Sequence, residues 1–111
     1  MSKYRNKRVT VDGITFDSIK EARRYMELKM LEKGGYISDL QLQVPFELVP
    51  TQRNRDGKVV SRKVSYIADF TYTEDGQFVV EDVKGFKTKD YIIKRKLMKF
   101  MYPDILFREI Q

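Results

Sequence analysis

The dipeptide Asp75-Gly76 is the strongest single constraint on what this chain can fold into. It separates a strand-forming run over about residues 59–73 from a second one, QFVVEDV, at 77–83. Asp-Gly between two such runs marks a two-residue type I′ hairpin, in which both central residues take positive φ. Such a turn leaves no freedom of register. Glu74 then pairs with Gln77, and counting back along both strands sets Asp69 directly opposite Asp82. Opposed residues share a face, with Cβ atoms about 4.5–5.5 Å apart. Lys84, two residues past Asp82, lies on that face too, and Glu81 on the other. A three-residue loop would instead bring Asp69 opposite Glu81 or Val83.

Like charges opposed across strands destabilise a sheet, and burying an unpaired charge costs several kcal/mol. The residues flanking both acids are mostly apolar, whereas a solvated strand face would be polar throughout. A divalent cation between the two carboxylates reverses the sign of their interaction. The register therefore predicts that Asp69 and Asp82 bind a metal, with Lys84 beside it.

Around this hairpin the chain reads as one α/β domain over residues 1–111, with a basic N-terminal arm at about 1–8. VTVDGITF forms a small hairpin turning at Asp12-Gly13. Ser18 and Glu21 fit a capping box that starts a helix, and Gly34-Gly35 ends it. Ile19, Ala22, Met26 and Met30 form its apolar stripe, with Tyr25 and Leu28 on a second flank. Leu40, Leu42, Val44, Phe46 and Leu48 then alternate as a strand, placed at a sheet edge or bulged by Pro45. TQRNRDGKVVSRK is a basic loop or hairpin tip turning at Asp56-Gly57. After Gly85 a second helix carries an apolar stripe of Ile93, Leu97, Phe100 and Met101. Pro103 closes that helix, and DILFREI is a final strand.

The chain has no cysteine and no histidine. Zinc fingers, thiol nucleophiles, disulfide frameworks, Ser-His-Asp triads and His-ligated metals are thereby excluded. Catalysis is left to carboxylates, Lys, Tyr or a metal held by oxygen, which points to magnesium, manganese or calcium. Lys and Arg number 22 against 16 Asp and Glu, a net charge of +6 that suits a polyanionic partner such as nucleic acid. No apolar run approaches the roughly 18 residues that cross a bilayer, and no signal peptide is read, so a cytoplasmic location is expected.

YIADF with Asp69, followed by EDVKG with Asp82-Val83-Lys84, resembles the paired motif of the PD-(D/E)xK nuclease superfamily. The order helix, three strands, helix, strand is similar to its restriction-endonuclease-like core, a mixed sheet flanked by helices. FDSIKEARRY matches the further Glu that many members carry on the first helix, here Glu21. Ala68 stands where the motif's Pro would be, and the second acid is Asp rather than Glu. From about Tyr4 to Ile110 the chain resembles small phage-encoded nuclease-like proteins, Holliday-junction resolvases among them.

The resemblance implies a magnesium-dependent endonuclease, with manganese able to substitute. Its ligands would be Glu21, Asp69, Asp82 and the backbone carbonyl of Val83, and Lys84 would assist the attacking water. Glu21 is open to two roles, metal ligand and helix cap. Glu81 reads as a flanking acid that tunes the site or pairs with a nearby Lys. Candidate DNA contacts are Lys3, Arg5, Lys7 and Arg8 on the arm, Arg53, Arg55 and Lys58 on the loop, and Lys94 and Lys96 on the second helix. Tyr91 either packs in the core or stacks near the site. Symmetric cutting of a branched substrate would need a homodimer. Two alternatives stay open: a general or restriction-like nuclease of linear or nicked duplex, and a non-catalytic nucleic-acid-binding protein.

Overall fold

The computed structural model describes residues 7–84 and 87–111. Strands β1 (Val9–Val11) and β2 (Ile14–Phe16) form the first hairpin, turning at Asp12-Gly13 with φ of 53° and 76°. Helix α1 (Ile19–Lys33) follows, then β3 (Ser38–Val49), the short pair β4 (Gln52–Arg53) and β5 (Val59–Ser61), and β6 (Val64–Glu74). Strand β7 (Gln77–Val83), helix α2 (Lys89–Met101) and strand β8 (Leu106–Ile110) complete the chain. The run expected as one strand over about 59–73 is thus divided into β5 and β6.

One four-stranded mixed sheet organises these elements, in the order β3-β6-β7-β8. Its first three strands are antiparallel, and β8 returns through α2 to pair parallel with β7. Pro45 is on the edge strand β3, where a missing N–H donor is tolerated. Asp75 and Gly76 take φ of 52° and 76°, the positive values a type I′ turn requires, and Glu74 pairs with Gln77.

Two hydrophobic clusters fill the fold. The first joins Ala22, Tyr25 and Leu28 of α1 to Phe16, Ile37, Phe70, Tyr72 and Val79. The second joins Tyr91 and Met98 of α2 to Leu48, Tyr66, Ala68 and Val80. Val79 and Val80, neighbours on β7, point to different clusters as strand alternation demands. Strand β6 breaks that rule. Tyr66 and Ala68 belong to the second cluster, but Phe70 and Tyr72, with the same parity, belong to the first. The switch falls where the β3–β6 ladder omits one pair, between Leu42↔Phe70 and Val44↔Ala68. Gln43 there has φ of 51°, a left-handed conformation that interrupts the alternation. Asp69 is its opposite number.

Of the expected stripes only Ala22 on α1 and the part-buried Leu97 on α2 meet the core. On α1, Met30 is 74% exposed and Ile19 and Met26 are also exposed, while the Tyr25–Leu28 flank is buried. On α2, Ile93, Phe100 and Met101 are exposed, Phe100 to 81%, and Tyr91 and Met98 face the core.

Candidate active site

The site lies at the end of β7, where the β6–β7 ladder stops. Pairing runs from Glu74↔Gln77 to Phe70↔Glu81, and Asp69 and Asp82 come next. With the ladder ended, the Asp69 carboxylate takes the place of a backbone acceptor: Val83 N–H donates to its Oδ2 at 2.8 Å. Gln43 Nε2 reaches the other oxygen at 3.4 Å. Asp82 is buried, accepts from the Tyr66 hydroxyl at 2.6 Å, and has Lys84 Nζ 3.7 Å from Oδ1.

Asp69 and Asp82 act on each other. Burial, a hydrogen bond with the Asp69 carboxyl and that group's charge lift the Asp82 pKa to about 7, against Tyr66 and Lys84. Glu21 joins them from the first turn of α1. Burial first, then the charges of Asp69 and Asp17, raise its pKa to about 7, with Lys84 opposing. Ser18 Oγ accepts from Glu21 N–H at 3.1 Å, one half of a capping box. No return bond from the Glu21 carboxylate to Ser18 is present among the described residues, so the cap leaves that carboxylate free to face Asp69.

Lys84 is positioned rather than merely nearby. Its N–H donates to Ile110 O on β8 at 2.9 Å, and its Nζ is 4.4 Å from the centre of the Tyr91 ring. The Tyr91 hydroxyl donates to Glu109 Oε2 at 2.6 Å. Glu109 is beside Asp82 in the parallel β7–β8 register. Burial would raise its pKa, but the Tyr91 hydroxyl, Arg95 and then Lys87 hold it below the ordinary value. Tyr91 therefore packs in the core and borders the site at once.

Glu81 is on the opposite side of β7, as its parity requires. It does not pair with a Lys. It is fully buried and takes two bonds from the Arg24 guanidinium of α1, at 2.6 and 2.9 Å, besides the Tyr72 hydroxyl. The Tyr72 pKa is pushed up to about 12 by burial and then by the Glu81 bond.

The buried Glu81 and the half-buried Glu109, outside the site, thus have their own cations: Arg24 for Glu81, Arg95 and Lys87 for Glu109. Lys84 offsets Asp82 and Glu21, and the charge of Asp69 acts on both. Among the described residues, no three carboxylates stand close enough to hold one ion as they are. The donors are nonetheless oxygen atoms in negative excess, which suits a hard divalent cation.

Sequence reasoning missed Tyr66, Gln43, Glu109 and Arg24. Tyr66 carried no signal, since strict alternation puts it on the Glu81 side. Glu109 could be paired with Asp82 only once the β7–β8 register was known.

Lys3 and Arg5 are outside the described residues. Lys7 and Arg8 are exposed, and Arg8 Nε is 3.9 Å from Asp17 Oδ1. Lys94 pairs with Asp90 at 3.4 Å, and Lys96 is exposed. Arg53, Arg55 and Lys58 are on the exposed β4–β5 hairpin. Among the described residues, none of these bonds to Glu21, Asp69, Asp82 or Lys84, so the structure does not gather them at the acids.

Among the described residues, no helix is long and apolar enough to cross a membrane. A family model described as "Protein of unknown function (DUF1064)" matches residues 1–110. No curated protein and no solved structure matches the chain significantly.

Proposed function

The chain belongs to the DUF1064 family, and we propose that it is a metal-dependent, structure-selective DNA endonuclease that hydrolyses phosphodiester bonds, acting as a Holliday junction resolvase on a restriction-endonuclease-like core. The observation that carries this reading is the local charge imbalance: carboxylates from three elements, Glu21, Asp69 and Asp82, act on one another, and Lys84 is the cation that offsets Glu21 and Asp82. The protein as a whole is +6. A negative cluster in a basic protein suits a cation that in turn meets a polyanion.

Glu21, Asp69, Asp82 and the Val83 carbonyl would hold magnesium, or manganese in its place. When bound, the metal polarises a phosphate oxygen and lowers the pKa of its water. The chain's own part is positional. Tyr66 orients the Asp82 carboxylate, and the Val83 N–H fixes that of Asp69. Lys84, held over the Tyr91 ring, is the group to align the attacking water or neutralise charge on the phosphate oxygens. Paired cuts in a junction would come from a homodimer.

The test uses end-labelled four-way junctions and matching linear duplex, with magnesium or EDTA, comparing wild type with Asp82→Asn. Junction-specific paired nicks that need magnesium are expected, falling about 10²-fold or more in the variant, since metal stabilisation is worth several kcal/mol and each 1.4 kcal/mol is tenfold. Equal cutting of linear duplex would keep the site and remove the junction preference. Binding without cutting, unchanged by Asp82→Asn, would leave a non-catalytic binding protein.

A further inference from the structure

The β4–β5 hairpin belongs to neither hydrophobic cluster. Residues 50–64 are exposed throughout. Its strands pair only with each other, Gln52↔Ser61 and Arg53↔Val59, and prolong the β3–β6 pair beyond Val49↔Val64. The Cα radius of gyration is 16.4 Å, against about 13 Å for a compact domain of this length. A ribbon held away from the body contributes to that excess.

The hairpin is nevertheless well formed. Asn54 Oδ1 accepts from Asp56 and Lys58 N–H at 2.9 and 3.0 Å, and Gly57 N–H donates to Asn54 O at 3.0 Å. Gly57 has φ of 80°, which side chains rarely adopt and glycine takes without strain, and the Arg53 guanidinium donates to its carbonyl at 2.8 Å. With no packing to satisfy, a structured tip needs another reason.

Its charge supplies one. Arg53, Arg55, Lys58, Arg62 and Lys63 stand against the single acid Asp56. Among the described residues, none of Arg55, Lys58, Arg62 and Lys63 forms an ion pair.

We infer that the β4–β5 hairpin is a groove-binding ribbon that lies in the major groove of B-form DNA, with Arg55, Lys58, Arg62 and Lys63 on the phosphates. The inference rests on the DNA reading above and extends it to duplex flanking the cut. The B-form major groove, about 12 Å wide, admits a two-stranded ribbon. The deep, narrow major groove of A-form RNA does not. A membrane surface fits less well, because the ribbon's apolar residues are Val59 and Val60, without the Trp, Phe or Leu of an interfacial anchor. From Asp56 to Asp69 is 13 residues, so the tip is within about 43 Å of the site at 3.3 Å per residue. One turn of B-DNA is about 34 Å. The ribbon therefore touches duplex within about one and a quarter turns of the scissile phosphate.

The experiment compares wild type with the quadruple variant Arg55→Ala/Lys58→Ala/Arg62→Ala/Lys63→Ala in EDTA. Fluorescence anisotropy on labelled duplexes of about 30 and about 12 base pairs is followed from roughly 50 to 200 mM salt. The substituted side chains are exposed, and an unchanged melting temperature confirms the fold. The slope of log affinity against log salt should fall by about 2–4, at about 0.9 per lost phosphate contact. Affinity for the longer duplex should drop at least tenfold at low salt, and its advantage over the shorter should vanish. Equal slopes and affinities for the two proteins would overturn the ribbon. So would unchanged DNA affinity with loss of binding to phosphatidylserine vesicles, which would assign the hairpin to a membrane surface. Binding in EDTA is independent of cutting. A protein that binds through the hairpin yet never cuts refutes the nuclease alone, and one that cuts normally without the four cations refutes the ribbon alone. Wild type that binds no DNA refutes both.

Discussion

Asp82 shows what a single position demands of its surroundings. It was legible in the sequence, because a two-residue turn sets it against Asp69, but its proton affinity was not. Burial beside a second carboxylate moves its pKa from 3.8 to about 7. Between those values the folded protein holds more protons than the unfolded chain, so stability falls as pH rises from about 4 to 7 and levels off above. At about 1.4 kcal/mol per unit the effect is of the order of a few kcal/mol. Glu21 adds a smaller share in the same direction, since it is partly solvated. Urea unfolding of the metal-free protein should give lower stability at pH 8 than at pH 5, and Asp82→Asn should flatten that difference. Identical pH profiles for the two proteins would mean that Asp82 is an ordinary surface carboxylate. The Asn can still accept the Tyr66 hydroxyl, so the comparison isolates charge.

At the scale of the element, the helices show where reading by periodicity stops. The stripe Ile93, Leu97, Phe100 and Met101 is more apolar than the face that α2 buries. That face carries Tyr91, Met98 and the part-buried Arg95, because Glu109 on β8 binds both the Tyr91 hydroxyl and the guanidinium. A tyrosine with a partner for its hydroxyl buries as well as a leucine, but the partner is in another element. On α1 the same holds for Arg24, whose bond to Glu81 docks the helix on β7. Arg24→Ala should therefore cost about 3–5 kcal/mol, the penalty for leaving a buried charge alone. Its melting temperature should drop by about 10 °C or more. Thermal unfolding decides this: a variant that melts with wild type would show the pair to be dispensable.

For the whole molecule the relevant contrast is between a net charge of +6 and an acidic cluster of opposite sign. A cation that binds the folded protein alone stabilises it by about 2.7 kcal/mol at a hundredfold excess over Kd, or about 10 °C in melting temperature. Protons would compete with such a cation for the same carboxylates. Magnesium should thus raise the melting temperature more at pH 8 than at pH 5, with EDTA reversing the shift. No shift at either pH would mean that the three acids hold no cation.

What the sequence determined by itself is local: the Asp-Gly turns, the capping serine, the edge proline and the β6–β7 register. Each depends on residues a few positions apart, whose backbone preferences and alternation leave one arrangement. The tertiary structure alone decided which helix faces are buried, that Tyr66 reaches Asp82, and that Glu109 and Glu81 have cations of their own while Glu21 and Asp82 both depend on Lys84. The physical reason is that these depend on pairing between distant elements. The left-handed Gln43 of β3 stands opposite the point where β6 passes from one cluster to the other, and the parallel return of β8 brings Glu109 beside Asp82. Neither contact leaves a trace in local periodicity.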